Sequence, residues 1–114
     1  MAADASTIAA AARALEAGDL RSETLTTGCL DRIARQNSSL NAFITVLADL
    51  AMAQAKEADR EIAAGRYRGP LHGIPISFKD LIDLRGVATT AASRVREGHV
   101  ATADAPLVAR LREA

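Results

Sequence analysis

Cysteine occurs once, at Cys29, so the chain forms no internal disulfide and offers no pair of thiolates to a metal. Tryptophan is absent, and Phe and Tyr together supply 3% of the 114 residues. The apolar 49% is therefore mostly Ala, Leu, Ile and Val. Each such side chain buries modest area against a backbone entropy of about 1–2 kcal/mol per residue. Net charge is also missing: 14 basic residues face 14 acidic ones, which argues against a nucleic-acid or anionic-membrane partner gathered by bulk attraction. No apolar run approaches the roughly 20 residues that span a bilayer, and Asp4 and Arg13 spoil the first 15 residues as a secretory leader. These absences fit a protein of the reducing cytoplasm. The seven glycines are scattered with no two adjacent, so no phosphate-cradling loop is present. His72 and His99 each stand alone without a ligand-spaced partner and read as surface histidines; no metal and no cofactor are expected.

Lysine is scarce as well. Of the 14 cationic side chains only Lys56 and Lys79 are lysines, the rest being arginine. Lysine, unlike arginine, accepts a proton near neutrality when a low-dielectric site disfavours its charge. Lys56 lies among Glu57, Asp59, Arg60 and Glu61, on what reads as the wet face of a helix. Lys79 follows the apolar run Ile74–Phe78, and that setting makes it a candidate general base.

The first half of the chain reads as helical. Ser6 or Asp4 caps a helix from about Thr7 to Ala17, which Gly18 closes. Ser22 caps a second helix, with Glu23 in its first turn and Leu25, Cys29, Leu30 and Ile33 on one apolar stripe. On that stripe Cys29 reads as a small buried hydrophobe, and the polar stretch Asn37–Asn41 ends the helix. Ala42–Leu47 is β-like. A third helix spans about Asp49 to Ala64, with Ala51, Ala55, Ala58 and Ile62 inward, and Gly65 ends it. Arg66–Tyr67–Arg68 reads as a solvated exit from that helix. Ile74–Phe78 and Val87–Thr90 are short strands, and Ser77 and Lys79 project from one face of the former. Arg94–Thr102 is a loop. Asp104 caps a last helix with Pro106 in its first turn and Leu107, Val108 and Leu111 inward.

The run GPLHGIPISFKDLIDLRGVATTAASR, Gly69 to Arg94, resembles the start of the amidase signature family, serine hydrolases that use a Ser–cis-Ser–Lys triad. In that family a GPLxGIPxxxKD segment supplies the lysine, which matches Lys79. Leu40–Leu47 is similar to the family's upstream segment and Asp104–Ala114 to its downstream helix. The resemblance implies an α/β fold: N-terminal helices plus the first strands of a mixed β-sheet core, cut short. Residues 4–64 would be helical, 69–103 a strand and loop segment carrying the lysine, and 104–114 a truncated helix. It also implies that neutral Lys79 is the general base, taking a proton from the cis-serine, which activates the nucleophilic serine, and that Asp80 bonds local backbone. The substrate would be a small-molecule amide.

Both triad serines belong to a GGSSGGS-type segment that this chain does not contain, so alone it is expected to be inert. Its short strands, lacking partners, predict a loosely folded fragment prone to self-association. Ser77 is a poor surrogate for the serines, because a neighbour on one strand projects parallel to the lysine. Leu81 stands where many members have asparagine, and Ala92 where many have glycine before Ser93. The substrate class is therefore not carried over: the transamidosome A subunit, simple aliphatic amidases and aryl amidases are all subfamilies. A small helical binding or regulatory module, with GIPISFKD as a plain core strand, fits the same length and helices.

Overall fold

A computed structural model describes residues 5–114, so Asp4, one of the two expected caps, lies outside the described residues. The chain divides into one compact unit that runs to Pro75 and another from Ile76 to Ala114.

The first unit holds three helices, α1 (Ile8–Ala17), α2 (Ser22–Leu40) and α3 (Ala48–Ala63). Thr7, rather than Ser6, caps α1: its hydroxyl accepts the Ala10 N–H at 3.1 Å. Gly18 closes α1 at φ 78, where a β-carbon would strain the backbone, and donates to the Ala14 and Leu15 carbonyls. Ala11, Ala12, Ala14 and Leu15 of α1 are buried. With side chains this small the helix buries little area beyond Leu15.

The start of α2 is built differently from the expectation. Ser22 is the first helical residue and not the cap, and no side chain of the preceding residues caps the helix. Asp59 of α3 does so across 37 positions, accepting the Ser22 N–H at 2.7 Å and the Glu23 N–H at 3.1 Å. The hydroxyl of Ser22 is free for another task and donates to the Gly73 carbonyl at 2.6 Å. Helix α2 ends within the polar stretch expected to stop it, at Leu40, with Asn41 left-handed at φ 49 as its cap. Cys29 is only partly buried, and the Arg32 guanidinium lies 3.4 Å from its sulfur.

Among the described residues there is no strand. This corrects all three expected ones, Ala42–Leu47, Ile74–Phe78 and Val87–Thr90, and with them the sheet of the expected α/β fold. Ala42–Leu47 and Ile74–Phe78 carry the right residues but lack an edge to pair with, and Val87–Thr90 makes only a single bridge. At Phe43 the Asn37 side chain takes the place of a partner strand, its Oδ1 accepting Phe43 N–H at 2.8 Å and its Nδ2 donating to Phe43 O at 3.0 Å. Ile44 and Val46, meant for a sheet face, are exposed.

In the second unit a single antiparallel bridge, Ala88 with Val100, is the nearest approach to a sheet. Thr89 N–H donates to His99 O at 3.1 Å and Ala101 N–H to Val87 O at 3.1 Å. Arg94–Arg96 is a single 3-10 turn within the expected loop, and α4 spans Pro106–Glu113. Asp104 does not cap α4. Its carboxylate accepts the Arg85 N–H at 2.8 Å and the Arg112 Nε–H at 2.8 Å instead. Val108 is buried as expected, whereas Leu107 faces solvent. Thr89, Ala101 and Val108 form the buried centre of this unit.

Candidate active site

The GPLHGIPISFKD segment is held at two places, one in each unit. In the first, His72 N–H donates to Gly69 O and Ile74 N–H to Leu71 O, making successive turns rather than the lead-in to a strand. Gly73 sits at φ 80, and a β-carbon there would come within 3.1 Å of the Ser22 β-carbon, so this position requires glycine on both counts.

His72 is 1% exposed, which corrects its reading as a surface histidine. Its Nδ1 accepts the Arg68 N–H at 3.1 Å. That fixes the other ring nitrogen as the donor, so Nε2–H points to Glu61 Oε2 at 2.8 Å. Arg68 Nη1 reaches the same oxygen at 3.2 Å. The Tyr67 ring stacks on the imidazole with centroids 6.0 Å apart. Burial, and secondarily the Glu16 carboxylate, push the Tyr67 phenol above its ordinary value. The Arg66–Arg68 exit is thus only partly solvated. Asp59 and Glu61 are not on the wet face of α3 either: their side chains are 11% and 22% exposed and turn inward to Ser22 and His72.

The second place is the turn that begins at Lys79, closed by Ile82 N–H to Lys79 O at 3.0 Å. The Lys79 side chain is exposed, and among the described residues it forms no hydrogen bond or ion pair. The dry setting expected behind Ile74, Ile76 and Phe78 is therefore not built by these residues, and Ile76 itself is exposed. Ser77 is exposed too, and among the described residues no hydrogen bond joins it to Lys79. Asp80, expected to bond local backbone, instead reaches a residue ten positions on: Oδ1 accepts the Thr90 N–H at 2.8 Å, and Oδ2 accepts the Thr90 hydroxyl in a short hydrogen bond. Those donors, the Thr90 hydroxyl foremost, hold the carboxyl below the usual aspartate value.

Sequence reasoning passes over Thr90. A hydroxyl residue ahead of two alanines is a turn-opening pattern, but nothing local ties it to Asp80 ten positions away. The turn Thr90–Ser93 has Ala91 at φ 49 and Ala92 at φ 53. An open hollow of about 310 Å³ lies over it, lined by Thr90, Ala92, Ser93, Arg94 and Glu97. Among the described residues no group of three His, Cys, Asp or Glu side chains could hold a metal ion. No described helix is long and apolar enough to cross a membrane.

Residues 24–114, from the start of α2 through the lysine turn to the end of α4, match the family model described as Amidase. The chain belongs to the amidase signature family. It is 47% identical over 102 residues to the A subunit of a glutamyl-tRNA(Gln) amidotransferase of Azoarcus sp. (strain BH72), covering 90% of this chain and 21% of that one. A relative of the same description from Chloroflexus aurantiacus is 43% identical over 105 residues, covering 92% of this chain and 22% of the relative. The mitochondrial counterpart of Xenopus laevis is 43% identical over 101 residues, covering 89% and 19%. The chain spans about a fifth of the length of the curated amidase relatives it matches.

Proposed function

We propose that this chain contributes the lysine of an amidase that hydrolyses carbon–nitrogen amide bonds through a serine acyl-enzyme. Lys79 is the general base, and both serines come from amidase sequence that these 114 residues do not contain. The observation that carries the reading is the family match over residues 24–114, with Lys79 inside the matched GPLHGIPISFKD segment at the head of a turn. The exposed ammonium supports it, since among the described residues the side chain is not committed to an ion pair. Desolvation, which favours the neutral amine, then has to come from other amidase segments closing over the lysine. There the amine takes the proton of the cis-serine hydroxyl, and that oxygen takes the proton of the nucleophile as it attacks the amide carbonyl. The proton returns through the cis-serine to the nitrogen as the C–N bond breaks and the amine leaves. Water, giving up its proton along the same path, then releases the acyl group as the acid.

The relatives are described as subunits of glutamyl-tRNA(Gln) amidotransferases, and we carry over from them that the complete enzyme works within an assembly. The balance of 14 basic and 14 acidic residues gives this chain no electrostatic footing for tRNA of its own. A small-molecule amide is the substrate we assign, and the cytoplasm, which suits a lone free cysteine, is the compartment.

The test joins this chain to the remaining four-fifths of the Azoarcus relative and measures turnover on small amides. Lys79→Met keeps most of the stem's volume and loses the proton acceptor, so kcat should fall by a factor of about 10² or more. Near-parental kcat in that variant makes Lys79 structural. The 114-residue chain assayed alone should show no turnover above buffer, and activity that vanished in Lys79→Ala would revive Ser77.

A further inference from the structure

Two turns of the second unit are tied together by one carboxylate. Lys79–Ile82 is the first, and Thr90–Ser93, closed by Ser93 N–H to Thr90 O at 2.9 Å, is the second. Positive φ at both central positions of the second turn normally calls for Asn-Gly or Gly-Gly, because a β-carbon there crowds the following carbonyl. Here both positions are alanine, at φ 49 and 53. Such a conformation persists only where its surroundings over-determine it. The surroundings are Asp80: its carboxylate takes the Thr90 N–H and the Thr90 hydroxyl, and its carbonyl takes the Ala91 N–H at 2.8 Å. The Thr90 hydroxyl oxygen in turn accepts the Ala92 N–H at 3.2 Å. Asp80 forms no ion pair with its neighbour Lys79, so its charge goes to the other turn and not to the lysine.

We infer that Asp80 and Thr90 are positioning residues for Lys79: their clamp fixes the backbone from which the lysine projects, in one register with the Thr90–Ser93 turn and the hollow over it. The inference rests on the reading of Lys79 as the base. A turn needed only for folding would be better served by Gly at the two left-handed positions and by no polar clamp at all. What the clamp adds is a fixed relation between the amine and the second turn. Loss of that relation misplaces the proton acceptor without removing it, and a small misplacement of a reacting group is costly to the chemical step.

The experiment uses the fusion to the Azoarcus relative and the variants Asp80→Asn and Thr90→Val, each alone and with Ala92→Gly, beside Lys79→Met. Expected are a kcat lowered tenfold or more in both clamp variants, KM within about twofold of the parent, and no additional loss when Asp80→Asn is added to Lys79→Met. Ala92→Gly relaxes the turn, so it should return the thermal midpoint of Asp80→Asn toward the parent without returning kcat. Full kcat in Asp80→Asn, or kcat regained together with stability on adding Ala92→Gly, overturns the positioning role. If instead Lys79→Met keeps its activity, the base reading fails. Backbone hydrogen exchange of residues 86–96, read by mass spectrometry on the same fusion, does not depend on turnover. Faster exchange in Asp80→Asn is expected, and unchanged exchange overturns the clamp itself.

Discussion

Replacing Asp59 with alanine should be among the most damaging single changes in the first unit. The carboxylate accepts two backbone N–H groups from the opening turn of α2, at 2.7 Å from Ser22 and 3.1 Å from Glu23. Those donors have no partner within the helix, and Ser22 is 1% exposed, so water does not readily replace the lost acceptor at its amide. Hydrogen bonds to a charged acceptor contribute about 1.5–3 kcal/mol, and removal of a helix cap costs about 0.5–2 kcal/mol. Both figures describe the same two bonds and do not add. About 2–3 kcal/mol is expected for Asp59→Ala, and about half of that for Asp59→Asn, which keeps one acceptor. Arg21 also touches Asp59, at 3.4 Å, but is 65% exposed, so Arg21→Ala should cost under about 0.5 kcal/mol. Urea unfolding followed by helical circular dichroism reads these values. With a slope of about 1–2 kcal/mol per molar, the Asp59→Ala midpoint falls by roughly 1–3 M. A midpoint shift worth less than about 0.5 kcal/mol, or an Arg21→Ala loss as large as that of Asp59→Ala, refutes the capping role.

Ala92→Gly should stabilise the second unit by about 0.5–1 kcal/mol, because relief of left-handed strain outweighs the extra freedom of glycine when unfolded; a loss of stability by calorimetry contradicts it. Acid should loosen the same unit. Asp80 and Asp104 both have folded-state values below the ordinary carboxylate value, so the stability they contribute is present above about pH 4 and is lost as pH falls through the folded values. The Thr90 and Arg85 amides, which donate to those carboxylates, should lose exchange protection together in that window; protection that does not weaken as the pH falls below about 4 sinks the assignment.

The helices are legible in the sequence because their determinants are local. Alanine-rich apolar stripes, Gly18 in a left-handed stop and Pro106 in a first turn each act within a few residues of where they stand. The caps are less legible, because a cap can come from anywhere. Asp59 looks like one more charge on a wet helix face until α3 packs on α2, and then it is the cap of its neighbour. The strands fail for the same reason in reverse. Phe43–Val46 and Ile74–Phe78 have strand-like composition, but a strand exists only with a partner, and pairing is not written in the segment itself. At the site, the motif draws attention to Lys79 and Asp80, whereas Asp80's partner, Thr90 ten positions on, is not written in it. His72 reads as a surface residue because its two partners, Glu61 and the Arg68 amide, are brought to it only by the turn at Gly69. The departure at Ala92 has a physical meaning: it is a left-handed position, where glycine sits without strain and alanine does not.

Ser22 has an unusual timetable. Its amide needs residue 59 and its hydroxyl needs residue 73, so neither bond exists when the ribosome finishes α2. At about 5–20 residues per second, the hydroxyl waits roughly 3–10 s after its own synthesis for the Gly73 carbonyl to arrive. Until residue 59 arrives the start of α2 is an open end, and until residue 73 arrives the Ser22 hydroxyl lacks the carbonyl it donates to. The order of completion is therefore imposed by chain position: α3 closes on α2 first, and the loop that leads to the lysine is latched last. A released chain ending between residues 59 and 73 would carry the cap of α2 without its latch.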